Sequence, residues 1–378
     1  MDFGWSLSQQ ELYDQTLRFA RHELRGLTKD SPGFSRAAWR ALGEFGALGA
    51  CLPESVGGQG FDALTTARVV EALGQGSADL GLIFSASAHL FACAVPINAF
   101  ATDALRAEVL PRLASGEWVG ANAITEAGAG SDVFALKTTA TRDSDVYVLD
   151  GEKSYVSNGP QADQILVYAS TAPKHGYLGI SAFVVDATTP GVVIGSPFAK
   201  TGLHRSPICQ VYFQSARVPA HRRLGAEGDG ASIFHHSMAW ERACLFASYV
   251  GGMARDLDTC VAYANNRRQF RKSIGRHQSI AHRLADMKLR LESARLLLYR
   301  ACWQLDQGHD NTLEVSLAKL AISESAIQSG LDLIHIHGGL GFMAETGLDT
   351  SLRDALGSTI FSGTSEIQRD LIAKGLGL

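Results

Sequence analysis

Glu241 is the acidic side chain of Met238-Ala239-Trp240-Glu241-Arg242-Ala243-Cys244, and its helical partners three and four residues away are Ser237, Met238, Cys244 and Leu245. A carboxylate on such an uncharged stripe is desolvated, which raises its pKa and suits it to take a proton. A plain ion pair with an arginine at a helix contact is the competing use. Four glycine-bearing stretches also carry hydroxyls or aromatics: Ala121–Asp132, with Thr125, Gly128, Gly130 and Ser131; Gly151–Gly159, with Tyr155 and Ser157; His335–Phe342, with Gly338 and Gly339; and Phe361–Arg369, with Ser362, Gly363, Thr364 and Glu366. Glycine lets backbone approach a ligand closely, and Thr-Ser after a turn offers hydroxyls and helix N-terminal N–H groups to anionic oxygen. Singly each stretch is ordinary. Gly128-Ala129-Gly130 lacks the third glycine and the helix of a dinucleotide fingerprint, Tyr155-Val156-Ser157-Asn158-Gly159 is a strand entering a turn, and Arg267-Arg268 alone is a solvated basic face.

The elements that position these residues change character twice. A capping box at Ser8-Gln9-Gln10-Glu11 opens a helix, a second helix through Trp39 and Leu42 stops at Gly46, Asp62 caps a third, and another spans about 103–113. From Trp118 to about residue 220 the runs are short and β-branched or aromatic, with Asp150-Gly151, Asn158-Gly159-Pro160 and Pro190-Gly191 as turns. No helix separates them, so an antiparallel sheet or barrel is expected. Beyond Gly228 the helical period returns, near 231–265, 278–307, 312–336 and 364–376. The expectation is an α+β chain: an all-helical domain over 1–117, a β domain over 118–225 and a helical bundle over 226–378. The most apolar segment, Leu80–Ile97, contains Gly81, Ser85, Ser87, His89 and Pro96 and reads as a buried core helix.

Composition narrows the function classes. The formal net charge of −4 gives no basic field for nucleic acid or anionic membrane. Six scattered cysteines, with no CxxC pair and no histidine at zinc spacing, fit a reduced, metal-free cytoplasmic protein. The opening MDFGWSLSQQEL has no basic region followed by an apolar run, so no signal peptide is expected.

Taken in order, Ala121–Asp132, Gly151–Gly159, Arg267–Gln278, His337-Gly338-Gly339-Leu340-Gly341-Phe342, Arg353-Asp354-Ala355 and Gly363-Thr364-Ser365-Glu366-Ile367-Gln368-Arg369 resemble the acyl-CoA dehydrogenases over nearly the whole chain. The resemblance implies the helical, β and four-helix-bundle layout and an FAD cofactor. It places Asn122, Ile124, Thr125, Gly130 and Ser131 in the first flavin-binding stretch, with Ser131 also by the substrate. Tyr155 would cover the isoalloxazine face and Ser157 reach its reactive nitrogen, where relatives often carry Trp and Thr. Arg267, Phe270, Gln278, His335, Gly338, Gly339, Thr364 and Glu366 would serve the pyrophosphate and adenosine of a neighbouring subunit's FAD, so a dimer or tetramer is implied. Arg271 and His335 depart from a frequent Gly and Gln at that end, which bears on FAD affinity. Arg353-Asp354 is expected as a structural ion pair.

The family removes an α-proton from an acyl thioester while the β-hydride passes to flavin N5, with a carboxylate as base and donors on the thioester carbonyl. Most members carry the base just before Gly-Thr-Ser, where this chain has Ser362. A hydroxyl is far too weak a base, although the Ser362 and Gly363 backbone can still face the carbonyl. Glu241-Arg242 is similar to the isovaleryl-type arrangement, in which the base comes from this earlier helix, and Arg242 joins the substrate side. The Asp79–Ile97 segment looks similar to dehydrogenases of prolyl and other aminoacyl groups on carrier proteins, so CoA and carrier-protein thioesters both stand as substrates. An electron-transfer flavoprotein or oxygen is the expected electron acceptor. The rivals are a flavin monooxygenase or oxidase on this fold, which needs no α-proton base, a nucleic-acid-associated flavoprotein, which should carry a basic extension, and a non-catalytic binding module, which has no use for four cofactor stretches.

Overall fold

The computed structural model describes residues 4–28, 33–78, 80–309 and 311–378. The first helices are α1 (Leu7–Phe19), α2 (Arg25–Thr28), α3 (Arg36–Glu44), α4 (Ala63–Gly76), α5 (Gly81–His89), α6 (Val95–Phe100) and α7 (Asp103–Ala114). Helix α1 begins two residues earlier than expected. Ser6 accepts the Gln9 N–H at 3.2 Å, and the Gln9 side chain returns to the Ser6 N–H. Two overlapping boxes were available in the sequence, and the upstream one gives the longer helix. Asp62 caps α4 through the Thr65 N–H at 2.7 Å, as expected.

Helices α5 and α6 are joined by a π turn, Leu90–Ala94, into a run of 20 residues, Gly81–Phe100, long and apolar enough to cross a membrane. Of its most apolar window, 89% is buried inside the protein, which makes it a core helix. Asp79, at its head, lies outside the described residues.

The middle region holds β1 (Gly120–Ala123), β2 (Thr139–Asp143), β3 (Val146–Ser157), β4 (Gln164–Ser170), β5 (Ile180–Asp186), β6 (Val192–Ile194), β7 (Ile208–Pro219) and β8 (Arg223–Leu224). Their order is β6-β7-β3-β2-β4-β5-β8, with β1 on β4. The sheet is mixed rather than antiparallel, because β1 runs parallel to β4 and β2 meets β4 in parallel at Thr139 and Ser170. The β2–β3 hairpin serves as the crossover that a helix usually supplies. Both faces of β4 and β5 are covered. Leu166, Tyr168, Ala182 and Val184 join the helical core, while Ile165, Val167, Phe183 and Val185 join the sheet's own core, so these strands read as continuous apolar runs. Strand β3 slips register against β7 between Lys153 and Val156, and Tyr155 sits in that bulge at φ 56°.

His89 fastens sheet to helices. Its Nδ1 accepts the Gly120 N–H at 2.8 Å, so Nε2 donates to the Leu113 carbonyl at 3.2 Å. Burial pushes its pKa down to about 4.

The remaining elements are α8 (Gly230–Trp240), α9 (Ala247–Asn266), a small hairpin of β9 (Arg268–Gln269) and β10 (Lys272–Ser273), then α10 (Gln278–Asp306), α11 (Thr312–His337), α12 (Thr350–Ser358) and α13 (Ser365–Gly375). Helices α9, α10 and α11 pack on one another, α13 lies on α11, and α4 lies against α9 and α10. The α4–α9 crossing is backbone on backbone. A Cβ on Gly251 would stand 2.0 Å from the Glu71 carbonyl oxygen, and one on Gly74 2.2 Å from that of Ser248. Asp306, at the end of α10, accepts the Ala63 and Leu64 N–H groups at 2.6 and 3.1 Å, and buried Glu71 of α4 binds Arg295 at 3.0 Å. Arg353 and Asp354 do not pair with each other. Arg353 pairs with Asp349 at 3.0 Å, while Asp354 is buried and accepts the Leu80 and Leu203 N–H groups.

Candidate active site

Glu241 opens a five-residue π turn, Glu241–Leu245, between α8 and α9. The wider turn displaces the register of the helix at that point. The stripe expected from the sequence is present: Ser237, Met238, Cys244 and Leu245 are buried, and Glu241 itself is 8% exposed. Its carboxylate accepts a hydrogen bond from the Ser362 hydroxyl. The ion-pair alternative calls for a guanidinium on this carboxylate, yet Arg242 Nε donates to the Ser362 carbonyl at 2.9 Å. The other buried carboxylates among the described residues are handled differently. Glu71, Glu126, Asp256 and Asp332 each meet a lysine or arginine within hydrogen-bonding range, and Asp354 takes backbone N–H groups. Burial holds the Glu241 pKa above the ordinary carboxylate value, against the lowering effect of the Ser362 hydroxyl and of Arg242. Lys319, fully buried with its amine 5.6 Å from the Phe246 ring, has its pKa lowered to about 8 by burial and by Arg242.

The first two glycine stretches adjoin each other. The Ser154 N–H donates to the Thr125 carbonyl at 2.8 Å, and Lys153 Nζ reaches the Ile124 carbonyl at 3.1 Å. Sequence reasoning missed what clamps them: Lys153, fully buried, bonds Glu126 Oε1 at 2.8 Å. The same carboxylate accepts the Lys137 and Thr138 N–H groups and the Thr138 hydroxyl. Burial lowers Lys153 to about 8, while its bond to Glu126 acts the other way. The available signal was a lysine in the same alternating phase of β3 as buried Tyr147 and Leu149.

These stretches carry groups that a flat, polar-edged ligand could use. Tyr155 is 63% exposed, and built Cβ atoms on Gly128 and Gly130 would meet nothing within 4 Å. Buried Asn122 Oδ1 and Ser154 Oγ have no hydrogen-bond partner. Thr125, Ser131 and Ser157 add hydroxyls along the same loops. An open aromatic face, an orphaned amide oxygen as acceptor, hydroxyls that can donate and uncluttered glycines are the kinds of group an isoalloxazine and its phosphates use.

The second predicted group lies elsewhere. Arg267 caps the far end of α9, a 20-residue helix, about 30 Å from the Glu241 turn at 1.5 Å per residue. Arg267 is exposed, and Phe270 is 88% exposed at φ 50° and meets His277 edge-on at 5.9 Å. Gln278 starts α10. The last turn of α11 packs on α9 just before this hairpin, where His337 stacks on Tyr263 at 4.2 Å, and His335 Nδ1 lies 3.2 Å from Arg283 of α10. Gly338 and Gly339 again face open space. Thr364 and Glu366 stay with the first group's end of the chain: Thr364 caps α13 two residues after Ser362, and Glu366 is exposed in its first turn.

Comparison with known proteins matches residues 6–117, 121–216 and 228–377 to the N-terminal, middle and C-terminal domains of acyl-CoA dehydrogenase. The chain is 47% identical over 380 residues to an L-prolyl-[peptidyl-carrier protein] dehydrogenase of Pseudomonas fluorescens, with 100% of both chains covered. Among solved structures, PigA with FAD and proline superposes with a TM-score of 0.97 at 42% identity, covering 100% of both chains. The prolyl acyl carrier protein oxidase AnaB gives 0.96 at 41% identity, covering 99% of this chain and 100% of that one.

Proposed function

Because the chain belongs to the acyl-CoA dehydrogenase family, we propose that Glu241 removes the α-proton of its acyl thioester and that the acyl group is prolyl, or a close aminoacyl relative, on a carrier protein. The enzyme is an FAD-dependent dehydrogenase of thioester-tethered acyl groups. FAD, when bound, supplies the acceptor for the hydride that leaves the β-carbon.

The observation that carries the assignment of the base is a buried carboxylate held by a hydroxyl, with the neighbouring guanidinium turned to a carbonyl. Such a group stays available to a proton, whereas a carboxylate locked to arginine does not. The Ser362 and Gly363 N–H groups and Arg242 then serve the substrate side, with Ser131 at the mouth. Polarising the thioester carbonyl acidifies the α-carbon that Glu241 faces. Tyr155 covers the ring, with Asn122, Ile124, Thr125, Gly130 and Ser157 along its edge. Arg267 ends α9 about 30 Å from the Glu241 turn, and Phe270, Gln278, His335, Gly338 and Gly339 belong to the elements at that end, which supports their serving a second copy's cofactor in a homo-oligomer. Thr364 and Glu366 are assigned to the adenosine side of the second copy's FAD. The three regions 1–117, 118–225 and 226–378 are taken as its domains, and cytoplasm as its compartment.

Anaerobic mixing with short, branched and long acyl-CoAs and with prolyl and other aminoacyl carrier proteins tests the reading. Bleaching of the flavin band by the prolyl carrier protein, lost in Glu241→Gln, is expected. A flavin that stays oxidised with every thioester overturns it. Admitting air or an electron-transfer flavoprotein afterwards identifies the acceptor by which of them restores the band.

A further inference from the structure

We propose that the Ser362 side chain is a positioning group for the reaction: its hydroxyl aims the Glu241 carboxylate and holds it as the anion, on a loop gripped by Arg242 and Gln368. This rests on the reading of Glu241 as the base and gives a task to a side chain that cannot itself take the α-proton.

Ser362 adopts φ 56°, in the left-handed region where a side chain is strained, and Gly363 follows at φ 88°. The backbone there would accept glycine without steric strain, so the hydroxyl is what a serine adds. That hydroxyl donates to Glu241. The carbonyl of the same residue accepts Arg242 Nε at 2.9 Å and Gln368 Nε2 at 3.3 Å, which fixes the peptide from the opposite side. Phe361, one residue earlier, packs on Phe84 at 4.6 Å and Phe246 at 5.5 Å. Adjacent residues of the π turn therefore hold Ser362 by its side chain and by its backbone, in a closed ring of three residues.

Burial by itself drives Glu241 toward the neutral acid, which cannot accept a proton. A hydroxyl donating to the carboxylate opposes this, since such a bond is stronger to the anion. When the α-C–H bond breaks, the proton forms an O–H bond on one carboxylate oxygen. The electron pair stays with the substrate as the β-hydride leaves to the flavin, and Ser362 keeps its bond to the carboxyl group throughout.

The other titratable groups nearby act less directly. Arg242 is on the same turn, and Tyr168 of β4, beside Cys93, feels the Glu241 charge. His235 of α8 and Lys319 of α11 feel the Arg242 charge, and Lys319 also feels those of Glu366 and Glu324. Cys302 of α10, with Cys51 and Asp306, bears on Cys244.

The test is titration of the Glu241 carboxyl in the FAD-loaded enzyme, read from its infrared C=O stretch and assigned by its absence in Glu241→Gln. Ser362→Ala and Ser362→Gly are both expected to raise the midpoint by about one pH unit. Ser362→Gly should keep a Tm closer to wild type than Ser362→Ala, because glycine also relieves the positive φ. The acid limb of the pH profile for thioester-dependent bleaching should move up with it. Midpoints unmoved in both variants overturn the proposal, as does a midpoint that moves only in Ser362→Ala together with a fall in Tm. The infrared reading needs no substrate, so a Glu241→Gln enzyme that still bleaches refutes the base and leaves this result standing apart.

Discussion

Helix α9 connects two regions built in opposite ways. At its start, the Glu241 turn is buried, and Glu241, Arg242 and Ser362 bond one another in a ring that closes on itself. At its end, the Arg267 hairpin is exposed, Phe270 and Arg271 stand at positive φ, and a Cβ built on Gly338 or Gly339 after α11 would meet nothing within 4 Å. The first region is finished by folding. The second carries strain and exposed aromatic surface that folding of one chain does not offset, as expected of a surface completed by another molecule. Changes at the first should therefore alter chemistry or stability, and changes at the second should alter ligand occupancy with little effect on the fold.

The most severe change should be Glu241→Gln, with kcat lower by about a hundred- to ten-thousand-fold while FAD content, read from the flavin spectrum, is unchanged. Parallel loss of FAD would erase the contrast between the two ends. Next is Glu126→Ala, which leaves the Lys153 charge buried without a counter-charge, and should cost about 3–5 kcal/mol in denaturant unfolding. A third effect comes from pH. His89 titrates near 4 in the folded state and near 6.5 unfolded, so its contribution is intact above pH 6.5 and is lost as pH falls toward 4. The full loss is about 3 kcal/mol, and a His89→Gln variant should flatten that slope of stability against pH. Smallest is Arg267→Ala, which should weaken FAD binding about 10- to 100-fold by titration with the apoprotein and leave its Tm in place. Mixing Arg267→Ala with Glu241→Gln copies should restore part of the activity if each site draws on two chains, and no recovery would assign Arg267 to its own chain's ring.

Much of this was legible because it depends on short-range rules. Helix periods from Gly228 onward, the Asp62 cap, the apolar stripe around Glu241 and the glycine-hydroxyl stretches all encode themselves within a few residues. What escaped depends on pairings remote in sequence. Lys153 and Glu126 look like two ordinary charges until β3 and the preceding loop come together. The parallel β1–β4 register leaves no local mark, because a buried strand is equally apolar in either direction. Asp354 reads as half of a local ion pair, but the N–H groups it satisfies are 274 and 151 residues away. The π turn at Glu241 has no sequence signature that distinguishes it from α-helix, and neither does the Ser362 hydroxyl bond it enables.

The crossing of α4 and α9 has a consequence for how the chain is made. Gly74 and Gly251 lie at opposite sides of one backbone contact although nearly half the sequence separates them, and Asp306 caps α4 from still further along. While the chain emerges from the ribosome, α4 is complete long before the helix that seals it and the carboxylate that caps it. Its apolar flank must wait, uncovered, for most of the protein to be synthesised, so this enzyme matures as one cooperative unit that closes late, and premature termination anywhere before α10 should yield sticky fragments instead of a usable leading domain.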